Sequence, residues 1–584
     1  MIGLTKSEQI LWAKKKSENG NHLWLPLITH LIDTQNVINW LFNHWISDSQ
    51  YQIIANGLTN KEIQKLIKLL GFCHDIGKAT PVFQIKPSYN GDHFLDDELI
   101  ERLIRSGFKD LDDLVLTSPS KSPHAKAGEA ILENLGVPPS TGAIIGGHHG
   151  KPLQDPPKRQ LTTYIANYYQ DESNQDEQNY WRKVQTDIFK YGLESAGYEN
   201  VEQIPAVNQP QAILLEGLLI MADWLASSEY LNDDQSKPLF PLIKMDQSCF
   251  AIDMTKRFRN AIGTWDLSGK WEPRKVVEAD PYKSRWNFTA RPVQATITRT
   301  IEKTTNPGMV IIEAPMGIGK TEIALVAAEQ LAFKTGEDGV FMGLPTQATT
   351  NAMFSRVNEW LEKLAENQNE NFAIKLMHGK AQFNKNYQKL PVATNVNDSD
   401  DLSQIGSVVI NSWFSGKKSI LTKFTVGTID NLLLMGLKQK HLFLKHLGFS
   451  GKVVIIDEVH AYDSYMNQYL YKTINWLGAY HVPIVVLSAT LPKEKRNALL
   501  RAYLKGQFSK KYEQHFEAPK NWETTQAYPL LSLLDNGKLT QVSTFPGQNK
   551  QPIVKLHVER LNLDDQALMQ HVLDKISTGG VAGI

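Results

Sequence analysis

Residues 314–321 read Ala314-Pro315-Met316-Gly317-Ile318-Gly319-Lys320-Thr321, following the apolar run Val310–Ile312 and before the helical pattern Glu322–Ala332. Such an octapeptide has meaning only as a loop between a buried strand and a helix, so it commits its part of the chain to an α/β fold. Gly317 and Gly319 let backbone N–H groups close around phosphate oxygens, and the helix N-terminus adds favourable partial charge. Lys320 then reaches the outer phosphates and Thr321 holds Mg²⁺, so ATP with Mg²⁺ is the expected cofactor.

Short apolar runs at Met309–Ile312, Val340–Met342, Val453–Ile456 and Ile484–Leu487 alternate with helical segments. That is the texture of a mostly parallel sheet covered on both faces. Before residue 265 the texture differs: Leu23–Trp45, Lys61–Phe72 and Gln211–Tyr230 repeat at helical spacing, with almost no alternating strand pattern. At 584 residues the chain is too long for one core. The expected fold is multidomain, an all-α domain over 1–265 followed by an α/β domain over 266–545. Asn395–Gln404 is polar and reads as a surface loop of the second domain.

Val453-Val454-Ile455-Ile456-Asp457-Glu458-Val459-His460 is an apolar strand that delivers two carboxylates at its end. Asp457 is expected on Mg²⁺ and Glu458 on the attacking water. Three further segments resemble superfamily 2 helicase motifs and follow in the expected order: Leu344–Thr350, Val426–Asp430 and Leu487–Pro492. The resemblance implies that Thr346, Gln347, Thr350, Gly427 and Thr428 grip phosphates of single-stranded DNA, and that Ser488 and Thr490 couple this grip to the ATP site. Taken singly, each segment also reads as an ordinary strand-end turn. Arg291-Pro292-Val293-Gln294 resembles the adenine-reading element, with the Gln294 amide offering a donor and an acceptor and Phe288 stacking on the base.

The N-terminal region carries a different chemistry around Cys73-His74-Asp75-Ile76-Gly77-Lys78. Adjacent His and Asp form a metal-binding pair whose carboxylate can bridge two ions. His30, His124, His148, His149 and Asp223 complete an ordered set. One ion is assigned to His30, His74, Asp75 and Asp223, the other to Asp75, His124, His148 and His149. Lys78 is expected to neutralise the scissile phosphate. Asp33, one turn beyond His30, is the candidate outer partner of a ligand histidine. His22, His44 and His93 are treated as structural. Imidazole and carboxylate donors favour Mn²⁺, Fe²⁺, Co²⁺ or Ni²⁺.

Sixty-two basic residues balance 62 acidic ones, so global charge does not bear on nucleic-acid binding. Cys73 and Cys249 lie far apart without CxxC spacing, which suits a reducing compartment and two buried thiols. The N-terminus lacks the apolar core of a secretion signal, and Ala212–Ala226 is too short to cross a bilayer. A cytoplasmic protein without a membrane partner is expected.

Together the HD set, the helicase motifs, Leu11–Lys14, Trp413-Phe414 with Gly416–Lys418, and Asp457–Met466 resemble the CRISPR-associated helicase-nuclease family of type I systems. The resemblance implies an HD nuclease over 1–265, a first RecA-like helicase lobe over 266–545, and the start of a second lobe over 546–584. It also implies recruitment by a Cascade complex with its guide RNA and target R-loop, nicking, and 3′ to 5′ movement on single-stranded DNA. Because the chain stops where the second lobe would begin, ATP binding with impaired hydrolysis is expected. Two competing readings are an HD nucleotide phosphohydrolase regulated by the helicase half, and an adaptor that uses ATP only to dock.

Overall fold

The structure, a computed structural model, describes residues 3–18, 20–88, 91–149, 156–170, 179–247, 251–265, 270–378, 381, 384–388, 390, 408–409, 414–437, 442–546, 557–560 and 564–577. Residues 1–543 form one compact unit and residues 544–584 a second. Cys249, Trp413 and the expected loop Asn395–Gln404 lie outside the described residues.

The first part of the large unit is helical, as its periodicity requires. Leu27–His44, Asn60–Cys73, Tyr180–Ala196 and Gln209–Ala226 are its longest helices. The last buries Leu214, Leu215, Leu218, Leu219, Ile220 and Met221 completely, each worth about 1.5–3 kcal/mol of apolar transfer. It is therefore a core helix, and no described helix is long and apolar enough to cross a membrane.

Two small sheets add to the helices. β1 (Trp12–Glu18) pairs with β2 (Asn21–Pro26), β3 (Tyr230–Leu231) with β4 (Asp234–Pro238), and β5 (Ile243–Lys244) joins the β2 edge. The expectation of an all-α region holds for the body and misses these strands. In β1 the run Lys14-Lys15-Lys16 carries no apolar alternation, so pairing with β2 rather than local pattern makes it a strand. The register slips between Trp12 and Lys14, a bulge at Ala13.

The second part contains β6 (Pro307–Glu313), β7 (Val340–Leu344), β8 (Phe372–Met377), β9 (Val408–Val409), β10 (Phe424–Thr428), β11 (Val453–Ile456), β12 (Ile484–Ser488), β13 (Leu530–Asp535) and β14 (Lys538–Val542). They form one sheet in the order β14-β13-β6-β12-β11-β7-β10-β8-β9. Every pair from β6 to β9 in this order is parallel, and only β13 and β14 run antiparallel at one edge. The fold class is thus a helical HD region followed by a RecA-like domain with a mostly parallel sheet. Neighbouring strands β6, β12 and β11 end at the P-loop, Ser488 and Asp457, the edge where open α/β sheets bind ligands.

Close backbone contact joins the two parts. Gly217, on the helix that carries Asp223, has no room for a side chain because a Cβ there would lie 2.7 Å from Phe443 O. Gln50 Nε2 donates to Leu447 O at 2.7 Å and to Ser450 Oγ at 3.0 Å, and Lys423 Nζ donates to Trp45 O at 2.8 Å. Ser49 N donates to Gly336 O at the end of the P-loop helix, Lys320–Thr335.

Candidate metal centre and nucleotide site

Five helices deliver the HD residues. His30 lies inside Leu27–His44, His74 caps the C-terminus of Asn60–Cys73, and Asp75 starts the turn Ile76–Lys78. His124 opens His124–Asn134, His148 caps Pro139–Gly147, and Asp223 lies in Gln209–Ala226. Gly77 permits the crossing: a Cβ on it would lie 2.0 Å from His124 O and 2.5 Å from Gly128 N.

Asp75 sits in the middle with its two oxygens facing opposite ways. Oδ2 is 3.1 Å from His30 Nε2 and 3.3 Å from His74 Nε2, whereas Oδ1 is 3.3 Å from His124 Nε2 and 3.5 Å from His148 Nε2. Asp223 Oδ1 lies 3.5 Å from both His30 Nε2 and His74 Nε2. His149 Nε2 approaches His124 Nε2 to 2.5 Å. Two donor sets result, His30, His74, Asp75, Asp223 and Asp75, His124, His148, His149, each with its ligand atoms within 4.8 Å of one another. This is the split expected from the sequence.

The donors are oriented as ligands require. His74 Nδ1 donates to Gly71 O at 2.9 Å and His148 Nδ1 to Ile145 O at 2.5 Å, which turns both Nε2 atoms inward. His148 Nε2 and Asp75 Oδ1 are buried with no hydrogen-bond partner. Buried polar atoms are rarely left so, and a cation between them would satisfy both. The residues therefore fit a divalent metal pair.

Burial holds His124 well below the usual imidazole range, and it pushes His149 down to about 4, with His148 adding to the effect. Burial, reinforced by Lys14, also lowers His30. For His74 burial opposes the charged form, but Asp75 and Asp223 outweigh it and raise the group to about 9. Burial works against the Asp75 carboxylate too, yet Lys78 and His74 prevail and keep it well below the usual range.

The nucleotide site is a cavity of about 620 Å³ bounded by the P-loop, Phe288, Arg291, Gln294, Arg356, Asp457 and Glu458. Gly317 and Gly319 take φ of +75° and +87°, the left-handed backbone a phosphate cradle needs. Lys320 Nζ donates to Ala314 O at 3.1 Å, and Arg356 reaches Thr321 Oγ1 at 3.1 Å and also binds Glu322. Burial, then Glu458, lifts Asp457 to about 6. Glu458 is held at φ +50°, an uncommon conformation of the kind that recurs at functional sites.

Residues 12–232 match the family described as Cas3, HD domain, and residues 291–498 match the DEAD/DEAH box helicase family. The CRISPR-associated nuclease/helicase Cas3 of Streptococcus thermophilus is 42% identical over 584 residues, 98% of this chain and 61% of that protein. The chain belongs to the Cas3 family. The CRISPR-associated endonuclease/helicase Cas3 of Thermus thermophilus is 31% identical, over 84% of this chain and 50% of that one. A crystal structure of T. fusca Cas3 with ATP superimposes with a TM-score of 0.73 at 26% identity, over 97% of this chain and 61% of that chain. A chain of a CRISPR RNA-guided surveillance complex, pre-nicking, shares the fold with a TM-score of 0.63. The chain thus spans at most 61% of the length of these Cas3 relatives.

Several residues of this Cas3-family chain stand elsewhere than the sequence suggested. Asp33 is fully buried but turns to Arg257, whose Nε lies 2.9 Å from Oδ2, and not to His30. Lys78 is buried against Asp75, at 2.6 Å, because the turn Ile76–Lys78 folds it back. Thr350 is fully buried, its hydroxyl donating to Thr346 O at 2.6 Å inside the first turn of its helix rather than standing at the surface. Gly427 is buried in register with Gly343 and Met377, where a Cβ would lie 3.0 Å from Met377 Cβ, so close packing also calls for a glycine there. Gln294 Oε1 accepts from Arg291 N at 2.8 Å, so one of its two acceptor positions is spent on the helix start. Thr346 and Gln347 are exposed, Thr428 is half-buried, and Thr346 caps the helix Gln347–Gln368. His22 pairs with Asp92 and His44 with Trp40 O.

Two neighbours of the candidate sites were missed. Lys14, on β1, sits close enough to Asp223 and Asp75 to feel their charge, and burial lowers it to about 8. His460 Nδ1 lies 3.1 Å from Glu458 Oε2 and 3.1 Å from Ser488 Oγ, which in turn donates to Thr490 O at 2.9 Å. The adjacency of His460 to Asp457-Glu458 was the available signal for the second. The lysine run of β1 gave none for the first, since it reads as solvated charge.

Proposed function

We propose that the chain is a metal-dependent HD nuclease acting on single-stranded DNA, joined to the first lobe of an ATP-driven 3′ to 5′ helicase, and that a Cascade complex recruits it to degrade invader DNA. The reading divides it into 1–265, 266–545 and 546–584, the last being the start of a second lobe. The observation that carries it is the division of the Asp75 oxygens between two histidine groups.

Two divalent transition ions held by these sets would supply a hydroxide near neutral pH and neutralise charge on the phosphate. Around them the chain's own groups divide the work. Buried His30 and His74 form the back wall, while His124 and His149, which are solvent-accessible, face an incoming strand. Lys78 keeps Asp75 ionised and stands ready for phosphate charge once the carboxylate is otherwise engaged. At the second site Lys320, Thr321 and Asp457 bind the nucleotide and Mg²⁺, Glu458 orients water, and Ser488 and Thr490 transmit its state. Thr346, Gln347 and Thr428 remain the candidates for the DNA backbone.

Cleavage of circular single-stranded DNA with Mn²⁺, Co²⁺ or Ni²⁺ and no ATP tests the reading, beside Asp75→Ala and a dNTP control. Cutting that Asp75→Ala abolishes, with dNTPs untouched, is expected. Hydrolysis of dNTPs with DNA spared would establish the phosphohydrolase instead.

A further inference from the structure

A groove of about 480 Å³ runs beside the metal centre, between β1 and the segment Phe83–Ser88. Gln84 clamps its two walls together. The Gln84 side chain accepts from Trp12 N at 3.1 Å and donates to Trp12 O and Lys78 O, both at 2.9 Å, while Trp12 Nε1 donates to Gln84 O at 3.1 Å. A groove built this way keeps its shape without a ligand.

Its charge is unevenly spent. Lys15 is paired with Asp96 at 2.6 Å, and Lys16 with Glu18 and Glu229 at 2.9 and 3.3 Å. Lys14 and Lys86 make no ion pair among the described residues, and both line the groove. Among the described residues lining it Glu229 is the only acidic one, and Lys16 offsets it. Phe83, half-buried, lies between groove and metal centre: its ring is 5.6 Å from that of His124 and 5.4 Å from Lys78 Nζ.

We propose that this groove is the track along which a single strand enters the HD site, with backbone phosphates on Lys14 and Lys86 and the base beside the scissile phosphate stacked on Phe83. Two lysines that make no ion pair among the described residues, Lys86 exposed and Lys14 also within the field of Asp223, Asp75 and Asp33, stand beside one aromatic face, which matches the way proteins hold single strands without reading sequence. The bulge at Ala13 supports this: it aims the carbonyl of Ala13 at Lys78, 3.4 Å away, on the strand that also carries Lys14. The proposal rests on the nuclease reading above.

The test uses the full chain with Mn²⁺ and two substrates, an oligothymidylate and bis(p-nitrophenyl) phosphate. The small diester requires the metal pair but no strand. The readout is the ratio of the two kcat/KM values. Lys86→Glu, at an exposed position, is expected to lower this ratio about tenfold and to flatten its salt dependence by roughly one contact, as for any lost phosphate ligand. Phe83→Leu, which keeps apolar volume against Trp12 and removes the aromatic face, is expected to lower it about tenfold as well. Lys61→Glu, on the helix Asn60–Cys73 outside the groove, leaves the ratio unchanged. An unchanged ratio in both groove variants would overturn the track. A wild-type chain that hydrolyses neither substrate would overturn the nuclease reading and the track with it.

Discussion

Lys78 Nζ lies 2.6 Å from Asp75 Oδ2, the same oxygen that faces His30 and His74. The ammonium therefore occupies the place in the charge balance that a cation would take. Lys78→Met removes a competing positive charge, so metal content should not fall. Cleavage should drop about 10²–10³-fold, the usual cost of losing one donor to developing charge. Metal analysis beside single-stranded DNA cleavage checks this, and lost metal would mark Lys78 as the positioner of Asp75 instead.

Gly77→Ala is expected to separate the two halves of the HD site. A Cβ 2.0 Å from His124 O and 2.5 Å from Gly128 N meets backbone on both sides and cannot be relieved by a rotamer change. Overpacking of this kind costs about 1–3 kcal/mol, seen as a lower Tm. The His124, His148 and His149 group should lose its ion first, so metal content per chain should fall from two toward one.

Glu129 and Glu216 lie buried behind the metal centre, each with one oxygen lacking a partner. Burial, then Glu133, raises Glu129 from 4.5 to about 8, and burial holds Glu216 well above its usual range. An acid whose folded pKa is raised contributes stability that is complete below its unfolded value and lost as pH rises through the folded one. The contribution of these two glutamates to stability should therefore fall as pH rises from 4.5 toward 8, by at most about 1.4 kcal/mol per pH unit for each group. Melting curves at pH 5 and 8 should show a smaller drop for Glu129→Gln than for the wild type.

Ser488→Ala cuts the chain Glu458–His460–Ser488–Thr490 at its third member. Nucleotide affinity, which rests on the P-loop, should hold within about threefold of wild type. The factor by which nucleotide changes single-stranded DNA affinity, typically 5–150-fold in coupled sites, should move toward one. Fluorescent-nucleotide and DNA titrations measure both quantities. A coupling factor equal to wild type would assign the link no role.

Much of the candidate site was legible because its signals are local. The P-loop needs glycines at positive φ between a strand and a helix, and those needs are written in eight consecutive residues. The candidate HD ligands were legible as a set, since few structural demands call for seven such residues in that order, and the fold brings them together. Thr350 and Gly427 were less legible for the same reason: small polar or glycine residues at strand ends serve packing and capping as readily as phosphate binding, and both are buried here. Asp33 misled because helical spacing gives the face of a side chain but not the element that covers it, here Arg257 from 224 residues away.

By itself the sequence determined the two families of motif, the helical and α/β textures, and the candidate metal donors, because backbone conformation and ligand type are properties of residues and their near neighbours. Only the tertiary structure decided which oxygen of Asp75 faces which histidines, that Lys14 and Phe83 border the metal centre, and that the Asp223 helix rests on Phe443 through Gly217. Those relationships depend on long-range packing, where the partner of a side chain is chosen by the volume and charge that distant segments bring to it.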